Sequence, residues 1–375
     1  MQHFETVAAH GAQEACYEGA VSFPIFQTST YAGSECYSYT RCANPTRNEL
    51  EQTVARLEQG THGFAFASGL AAISALFCLL KQGDHVLVSD DLYGGTYRLI
   101  EEIWSRFGVE FTFADLRDTA RVEVPKNTKL IFAETPTNPM MKVLPIRALA
   151  DLAHENGALL AVDNTFLTPY LQKPLTLGAD ISLQSGTKFL SGHHDTVCGL
   201  LTTSDEAIAE RIALVQRTLG NALSPFDCWL TLRGLQTLPA RMELHQKNAH
   251  AAAEFLSSHP RVERVFYPGL PSHEGYELMK AQANGMGGVL SFLLSDDDVM
   301  PVLHGGKWFR FAESLGGTTS LITYPQTQTH ASVPKDVREK IGITPRLLRL
   351  SVGLEHIDDL LEDLRQMLSA KDDVV

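Results

Sequence analysis

The residues from Ser185 to Lys188 combine side chains that could form a covalent site. Ser185-Gly-Thr-Lys188 follows a short run in which Ile181 and Leu183 alternate with polar residues, a pattern that predicts a strand ending at Ser185. Loops at the carboxyl ends of strands form the binding crevice of an open α/β sheet. A lysine amine there suits a Schiff base with an aldehyde whose phosphate needs hydroxyl and amide donors. Taken alone, a lysine in a surface turn is more often a solvated charge.

Four other predicted strands also end in polar residues, so Lys188 does not stand by itself. The residues that follow these strands are Ser68-Gly69-Leu70 after 63–67, Asp91-Leu-Tyr93-Gly-Gly95 after 85–88, Glu134 to Asn138 after 129–133, and Asp163-Asn-Thr165 after 158–162. In a parallel sheet all five carboxyl ends lie along one edge. The pattern therefore predicts one site built from five loops.

Asp163 and Tyr93 supply what pyridoxal chemistry needs besides the lysine. Asp163 ends an apolar strand, where an unpaired anion is costly to bury. Paired with a pyridinium nitrogen the carboxylate is neutralised, and it keeps the ring protonated so that the ring can accept electrons. Tyr93 could stack on the ring face. The alternative interpretation of Asp163 is a helix N-cap.

The phosphate of such a cofactor has predicted donors at a helix start. The amides of Gly69 and Leu70, with the hydroxyls of Ser185 and Thr187, would bind a phosphate dianion. For Ser68-Gly69 considered separately, a plain N-cap is the better interpretation.

Arg349 is a candidate for binding a substrate carboxylate. It lies in Leu347-Leu-Arg-Leu-Ser-Val352, where strand alternation places Leu348, Leu350 and Val352 on one face and Arg349 on the other. An arginine on an otherwise apolar strand needs an anion, and its planar fork suits an α-carboxylate. A structural salt bridge is the alternative.

Composition predicts a soluble globular protein and argues against nucleic acid as a main partner. The chain has 375 residues, 44% hydrophobic and 20% charged, which is long enough for two domains. A net charge of -13 argues against nucleic acid, and there is neither a basic run nor a segment that predicts a signal peptide or membrane span. Six cysteines without C-x-x-C spacing give no indication of disulfides or of a metal site, so we expect a cytoplasmic protein with reduced thiols.

The order of elements predicts an α/β fold in three parts. Residues 1–40 have little regular pattern and are expected to form an N-terminal arm, followed by a helix with Thr46 as N-cap and Glu49 in the capping box. Apolar strands then alternate with helices, including one over 97–107, which predicts a mostly parallel sheet covered on both faces. We expect this large cofactor-binding domain to span 41–240. A small C-terminal α/β domain over 241–375 follows, with a helix over 241–257, three strands of a mixed sheet and a terminal helix over 357–368.

Nine motifs in order along the chain carry a family resemblance. They are Tyr39-Thr-Arg41-Cys-Ala-Asn-Pro-Thr46, Ala67-Ser-Gly-Leu-Ala-Ala72, Asp91-Leu-Tyr-Gly-Gly-Thr96, Glu134-Thr-Pro-Thr-Asn-Pro139, Asp163-Asn-Thr-Phe166, Ser185-Gly-Thr-Lys188, Glu313-Ser-Leu-Gly-Gly317, Thr329-His-Ala-Ser332 and Leu348-Arg-Leu-Ser-Val-Gly353. Through them the chain resembles the Cys/Met-metabolism family of pyridoxal-phosphate enzymes, the transsulfuration group of cystathionine γ-synthases, γ-lyases and β-lyases.

The resemblance implies a fold and an assembly. The implied fold is the fold-type-I transferase of pyridoxal 5'-phosphate enzymes, with a large seven-stranded sheet domain and a smaller C-terminal domain. The implied assembly is a homotetramer, a dimer of dimers with shared active sites. In it Tyr39 and Arg41 reach the phosphate in the neighbouring subunit.

The resemblance also implies roles for individual residues. Lys188, Tyr93 and Asp163 are the implied catalytic residues, and Lys188 moves the proton between substrate and cofactor. The implied cofactor site consists of Tyr39, Arg41, Ser68, Gly69, Leu70, Tyr93, Asn138, Asp163, Thr165, Ser185, Thr187 and Lys188. The implied substrate site consists of Asn138, Glu313, Ser314, Thr329 and Arg349, with an amino acid as substrate.

The motifs do not single out one reaction of the family, because different motifs match different members. Glu313 before Ser314 matches γ-synthases and γ-lyases, and Gly95 stands where methionine γ-lyases usually carry cysteine, whereas residues 322–330 are more similar to bacterial β-lyases. We expect elimination at a C–S bond of cystathionine. The nearest rival is γ-replacement by a cystathionine γ-synthase or O-acylhomoserine thiolyase. An aminotransferase and a non-catalytic, cofactor-binding regulator are more remote.

Overall fold

The computed structural model describes residues 2–12, 17 and 19–369, and its largest feature is a seven-stranded sheet. Its strands are β1 (His62–Phe66), β2 (His85–Ser89), β3 (Glu110–Ala114), β4 (Thr128–Glu134), β5 (Leu159–Asp163), β6 (Ile181–Gln184) and β7 (Gly199–Thr203). They are ordered β1-β7-β6-β5-β4-β2-β3. Strands β2 to β6 are parallel to their neighbours in this group, and β7 is antiparallel to both β1 and β6. Strand β1 therefore points the same way as β6.

The residues of these strands alternate between two cores. Phe132 packs in a cluster with Phe66, Phe77 and Val88, whereas its neighbour Ile131 packs in a different cluster with Leu160. Strands buried on both faces need apolar residues at successive positions, which explains their continuous apolar runs. The predicted mostly parallel sheet covered on both faces is confirmed.

A five-stranded sheet follows in the C-terminal part of the chain. Its strands are β8 (Val262–Phe266), β9 (Val289–Leu294), β10 (Arg310–Phe311), β11 (Leu321–Thr323) and β12 (Leu347–Ser351), in the order β10-β11-β12-β9-β8. All pairs are antiparallel except β10 with β11. One face packs on a core that contains Phe292, Leu348 and Leu350 together with Leu256 and Leu364 from two helices. The sheet contains the three predicted strands and two short strands, β10 and β11, that were not predicted.

Helices cover both sheets and connect them. They are α1 (Phe4–His10), α2 (Pro45–Leu57), α3 (Gly69–Phe77), α4 (Gly94–Glu102), α5 (Ile146–Glu155), α6 (Thr168–Leu171), α7 (Glu206–Leu219), α8 (Pro225–Leu235), α9 (Leu238–Ser258), α10 (Tyr276–Gln282), α11 (Met300–His304), α12 (Lys335–Ile341) and α13 (Ile357–Ser369). Three short 3-10 helices lie at Trp104–Phe107, Thr119–Arg121 and Pro174–Leu177. No helix within the described ranges has both the length and the apolarity to cross a membrane.

The predicted N-cap Thr46 is wrong, because Asn44 caps α2. The Asn44 side chain accepts hydrogen bonds from the backbone N–H groups of Thr46 and Arg47. Thr46 is already inside the helix, and its hydroxyl accepts from Phe26 N and donates to Pro24 O instead. Asn and Thr both favour N-caps, and here Pro45 at the first helical position favours the earlier start.

Other helix bounds also differ from the sequence prediction. The helix expected over 97–107 begins at Gly94 and ends at Glu102, and the 3-10 helix Trp104–Phe107 follows it. The helix expected over 241–257 begins at Leu238, and a short helix, α1, lies in the arm that was expected to lack regular structure.

Candidate active site

The carboxyl ends of β1, β2, β4, β5 and β6 meet the loop before β11 around one cavity of about 320 Å³. Its lining residues are Ser68, Gly69, Leu70, Ile73, Tyr93, Glu134, Pro136, Asn138, Asp163, Thr165, Phe166, Ser185, Thr187, Lys188, Val197, Glu313, Ser314, Leu315, Thr329 and Arg349. The five strand ends that the sequence pointed to thus lie together, and the C-terminal sheet adds the wall that carries Arg349.

Lys188 reaches into this cavity from the turn after β6. Its amine donates a hydrogen bond to Ser314 Oγ across 2.9 Å. Burial and, to a smaller extent, the charge of Arg349 lower the pKa of Lys188 to about 8, while Glu313 opposes both effects. About a tenth of the amines with this pKa are neutral at pH 7, far more than at the ordinary lysine pKa, and the neutral amine is the form that acts as a nucleophile or base.

Asp163 ends β5 as a buried carboxylate. It accepts hydrogen bonds from the Thr165 backbone N–H at 3.0 Å and the Thr165 hydroxyl at 2.5 Å. The same hydroxyl accepts from the Ser185 N–H at 2.8 Å, so it links the ends of β5 and β6. Burial raises the pKa of Asp163 to about 6, against the effect of these hydrogen bonds. A cation beside it would recover the cost of this burial.

The start of α3 and the turn after β6 face each other. The Ser68 hydroxyl accepts from Ala71 N at 3.0 Å, so Ser68 is an N-cap, as one interpretation predicted. A Cβ on Gly69 would lie 3.1 Å from Ser185 Cβ, which shows how closely these segments approach. The N–H groups of Gly69 and Leu70 belong to the first helical turn and have no partner inside the helix. They form an anion-binding position beside Ser185.

The Thr187 hydroxyl is less available to an anion than the sequence predicted, because it already makes two hydrogen bonds. Its hydroxyl donates to Cys198 O at 3.2 Å and accepts from Cys198 N at 2.9 Å. These bonds connect the turn after β6 to the start of β7 and leave one lone pair on the oxygen, with no proton to donate.

Tyr93 stands at the start of α4, where the backbone of Thr329 leaves no room for a side chain at Gly94. A Cβ on Gly94 would lie 2.1 Å from Thr329 O, and one on Gly95 would lie 2.3 Å from Cε1 of Tyr93. The Tyr93 side chain is 38% exposed and lines the cavity. Burial and the charge of Glu313 raise the pKa of Tyr93, so its hydroxyl keeps its proton at neutral pH.

Glu134 is a buried residue that lines the cavity. It belongs to one of the family motifs in the sequence but was not among the predicted site residues. It accepts from Tyr93 N at 3.0 Å and from Asn138 N at 2.8 Å. Burial raises the pKa of Glu134 well above its usual value, and the charge of Asp163 raises it further. The available signal was an acid at the end of an apolar strand, which is the signal that identified Asp163.

Arg349 crosses from β12 to the large sheet. Its guanidinium donates from Nη1 to Asn138 Oδ1 at 2.8 Å and from Nη2 to Ser314 O at 2.9 Å and Thr323 Oγ1 at 3.1 Å. No carboxylate pairs with it directly among the described residues, so the alternative of a structural salt bridge is not what the structure shows. Its Nε is buried without a hydrogen-bond partner in the described part of the chain. An unsatisfied cation of this kind is suited to an anionic ligand.

Thr329 and Glu313 complete the opposite wall. The Thr329 hydroxyl lies 2.9 Å from His330 Nδ1, and His330 Nε2 donates to Leu92 O at 3.0 Å, which fixes the loop beside Tyr93. Glu313 is exposed at the edge of the cavity and also borders a second, adjoining cleft that contains His194. Among the described acids that line the cavity, Glu313 is exposed to solvent, whereas Glu134 and Asp163 are buried.

Tyr39 and Arg41 lie outside the Lys188 cavity of the same chain. They line a separate cleft with Gln27 and Gly220, and Arg41 Nη1 donates to Arg217 O at 2.5 Å. The Arg41 guanidinium also lies 5.6 Å from the Tyr39 ring centroid. Within one chain, the structure therefore does not bring these two residues to the other site residues.

The residues of the cavity fit pyridoxal phosphate. The cavity offers a buried amine at Lys188, a carboxylate at Asp163 that has no cationic partner among the described residues, and backbone donors at Gly69 and Leu70 for a phosphate. In the described ranges, no group of three or more His, Cys, Asp or Glu side chains could hold a metal ion. Cys36, Cys42, Cys78, Cys198 and Cys228 are free thiols, and Cys16 lies outside the described residues.

Comparisons with known proteins agree with this chemistry. Residues 5–369 match the family described as Cys/Met metabolism PLP-dependent enzyme. A cystathionine beta-lyase of Bacillus subtilis is 50% identical over 93% of this chain and 92% of its own length, and a cystathionine gamma-lyase of the same organism is 49% identical over 93% and 94%. The crystal structure of a cystathionine gamma-lyase from Lactobacillus plantarum complexed with L-serine superimposes with a TM-score of 0.96, at 42% identity, over 98% of this chain and 99% of that one. The chain therefore belongs to the Cys/Met metabolism family of PLP-dependent enzymes.

Proposed function

We propose that this enzyme cleaves a C–S bond of cystathionine by elimination. The observation that carries the proposal is the position of Ser314 between two functional groups. Its hydroxyl accepts from Lys188 Nζ at 2.9 Å, and its carbonyl accepts from Arg349 Nη2 at 2.9 Å. A basic amine and a carboxylate-binding guanidinium thus meet at one point, as an enzyme needs for removing a proton next to an amino acid's carboxylate. The names of the relatives supply the substrate class.

Four parts of the cavity would hold the cofactor. Lys188 would bind its aldehyde, Asp163 its ring nitrogen, and the first turn of α3 with Ser185 its phosphate, while Tyr93 would cover the ring. When bound, pyridoxal phosphate supplies an electron-withdrawing ring that makes the α-carbon of an amino acid acidic. The depth of Asp163 keeps water from weakening its pairing with a cation.

Arg349 would orient the substrate. Asn138, Ser314 and Thr323 fix the guanidinium through its two terminal nitrogens and leave Nε without a partner in the described part of the chain. A carboxylate that accepts from Nε would be held by a group that does not need to reorganise, which places the α-carbon for proton transfer.

Lys188 would move the proton. Its lowered pKa lets Nζ accept a proton from carbon and return it within the same site. Elimination then breaks the C–S bond, the sulfur leaves with the bonding electron pair, and the thiolate takes up one proton. The remaining carbon fragment takes up one water molecule and is released as a 2-oxo acid and ammonia. Tyr93, which keeps its proton at neutral pH, is the donor that we assign to the leaving sulfur.

We also infer a shared assembly and a division of the chain. Because Tyr39 and Arg41 lie away from the Lys188 cavity of their own chain, a phosphate contact by these residues requires a second subunit. This supports sites shared between two subunits, which we place in a homotetramer, a dimer of dimers. We divide the chain into an arm over 1–40, a large domain over 41–240 that contains the seven-stranded sheet, and a small domain over 241–375 that contains the five-stranded sheet. A cytoplasmic location is part of the same proposal.

Comparing two reactions tests the proposed function. The purified holoenzyme is given either L-cystathionine alone or an O-acylhomoserine with cysteine, and kcat/KM is measured for each. We expect the larger kcat/KM for cystathionine without any added thiol. A larger kcat/KM for the O-acylhomoserine with cysteine, together with formation of cystathionine, would show that the enzyme catalyses γ-replacement rather than elimination.

A further inference from the structure

Glu134 occupies the position where the two halves of the cavity meet. It is the last residue of β4, in register with Asp163 at the end of β5. Its side chain is buried, and each carboxylate oxygen accepts one backbone N–H, Oε1 from Asn138 at 2.8 Å and Oε2 from Tyr93 at 3.0 Å. Both hydrogen bonds favour the ionised carboxylate, so they oppose the rise in the pKa of Glu134 that burial and Asp163 cause.

The two N–H groups belong to segments with different tasks. Tyr93 directly precedes α4, so its backbone sets the position of its ring over the cavity. Asn138 leads to Arg349, because its Oδ1 accepts from Nη1 at 2.8 Å. One carboxylate therefore fixes both the residue that would cover the ring and the residue that aims the guanidinium.

Stability alone does not explain a carboxylate at this place. A buried anion next to a second buried acid, Asp163, is costly, and an uncharged side chain of the same size folds more cheaply. The two backbone donors and the positive charge of Arg349 offset part of this cost. A fixed geometry that needs two acceptor oxygens is a reason to keep the acid.

We propose that Glu134 is a positioning residue that holds Tyr93 and Asn138 in the arrangement needed for catalysis and for binding the substrate carboxylate. The proposal rests on the proposed function, because it assigns the Glu134 contacts to that same site. Glutamine at this position keeps the size but offers one acceptor oxygen, and its amide group would point donor hydrogens at the other backbone N–H. Aspartate keeps the charge but is one methylene too short to reach both segments.

The test compares Glu134→Gln and Glu134→Asp with a matched control, Glu58→Gln. Glu58 is also fully buried and accepts two hydrogen bonds, from Ser182 and Gln184, but it does not line the cavity. Two quantities are measured on each holoenzyme: kcat and KM for L-cystathionine, and the dissociation constant of glycine from the absorbance of the bound cofactor. Glycine has the amino and carboxyl groups of a substrate and no sulfur to lose, so this titration does not depend on turnover.

For both Glu134 variants we expect kcat to fall about tenfold and the glycine dissociation constant to rise about tenfold. A tenfold change is the effect expected when the Tyr93 segment or the Asn138 segment loses one hydrogen bond to a charged group. For Glu58→Gln we expect both quantities within about twofold of the parent. The proposal is overturned if the Glu134 variants match the parent within about threefold. Equal losses in Glu58→Gln would also overturn it, as would failure of both Glu134 variants to fold, since Glu134 would then act on folding.

The same data separate this inference from the proposed function. If the parent does not turn over cystathionine, the proposed function fails, and the glycine titration still decides whether Glu134 positions the carboxylate site. If the parent is active and the glycine dissociation constant does not change in the Glu134 variants, only the inference fails.

Discussion

The amine of Lys188 donates a hydrogen bond to the hydroxyl of Ser314 across 2.9 Å, although the two residues lie on different sheets' loops and 126 positions apart in sequence. Ser314 has a φ of 93°, a backbone conformation that costs a non-glycine residue about 1–3 kcal/mol. Its carbonyl accepts a hydrogen bond from Arg349, while its hydroxyl accepts one from Lys188. The site therefore exists only when the C-terminal sheet is packed against the large one.

Replacement of the lysine should abolish the chemistry. In Lys188→Ala no amine remains to bond the aldehyde or to move the proton, so we expect kcat/KM for cystathionine to fall by about 10³-fold or more. Borohydride reduction followed by intact-mass measurement should show the cofactor attached to the parent and not to the variant.

Lys173→Ala is the matched control for this change. Lys173 is also partly buried and its pKa is also lowered by burial, but it lies outside the cavity, with its amine 5.2 Å from the Phe4 ring centroid. It should retain both the attachment and the activity. Full activity in Lys188→Ala would remove the basis of the mechanism.

Arg349→Lys keeps the positive charge and removes the planar guanidinium, so it tests whether substrate binding needs the guanidinium geometry or only the charge. Lysine cannot bond Asn138, Ser314 and Thr323 while leaving a donor for substrate, so we expect kcat/KM to fall about 10- to 100-fold, largely through a higher KM. Arg346→Lys, three residues earlier and paired at the surface with Glu263, should change kcat/KM less than about twofold. An unchanged KM in Arg349→Lys would show that the substrate carboxylate binds elsewhere.

The affinity for the cofactor should depend on the charge of Asp163. Burial raises the pKa of Asp163 to about 6, so the carboxyl is protonated and neutral below that pH and cannot pair with a ring cation. Binding of pyridoxal phosphate to the apoprotein should therefore weaken as the pH falls below about 6. The cofactor phosphate titrates near the same pH, with a pKa of about 6, and adds its own dependence.

Asp163→Asn isolates the contribution of the carboxylate. The variant should bind the cofactor more weakly above pH 6, and the logarithm of its dissociation constant should vary less steeply with pH than in the parent. Equal slopes in the two proteins would mean that Asp163 does not pair with the ring.

Glu58 should make the protein less stable as the pH rises. Burial raises the pKa of Glu58 to about 7 from 4.5, so the folded state binds more protons than the unfolded state between these values, and stability is lost as the pH rises through them. The shift corresponds to roughly 3 kcal/mol.

Urea unfolding of the parent and Glu58→Gln at several pH values measures this effect. The difference in unfolding free energy between the two proteins should change by about 3 kcal/mol in favour of the variant from about pH 4 to about pH 8. A difference that is independent of pH would show that Glu58 titrates normally.

The strand-end residues were predictable because their signal is local. Asp163, Tyr93 and Lys188 each lie at or soon after the end of an apolar run of strand length, and parallel strands bring such ends together. The terminal helix α13 was predicted within one residue because its apolar positions repeat at helical spacing.

Other features depend on contacts between distant segments. Glycine is a poor helix former, so Gly94 and Gly95 were expected outside a helix, but Thr329 leaves no room for a side chain at Gly94. Strand β7 (Gly199–Thr203) was not predicted. Its place between β1 and β6, antiparallel to both, depends on pairing with segments that are distant in sequence. The role of Glu134 could not be predicted, since its two partners become neighbours only after folding.

Analysis of the products from L-cystathionine tests the central claim most directly. The holoenzyme is incubated with L-cystathionine and no second substrate, and the 2-oxo acid and the thiol amino acid are identified and quantified. We expect one equivalent of each per cystathionine consumed, either pyruvate with homocysteine from β-elimination or 2-oxobutyrate with cysteine from γ-elimination. Absence of any 2-oxo acid from a fully cofactor-loaded protein would contradict the assignment as a cystathionine lyase.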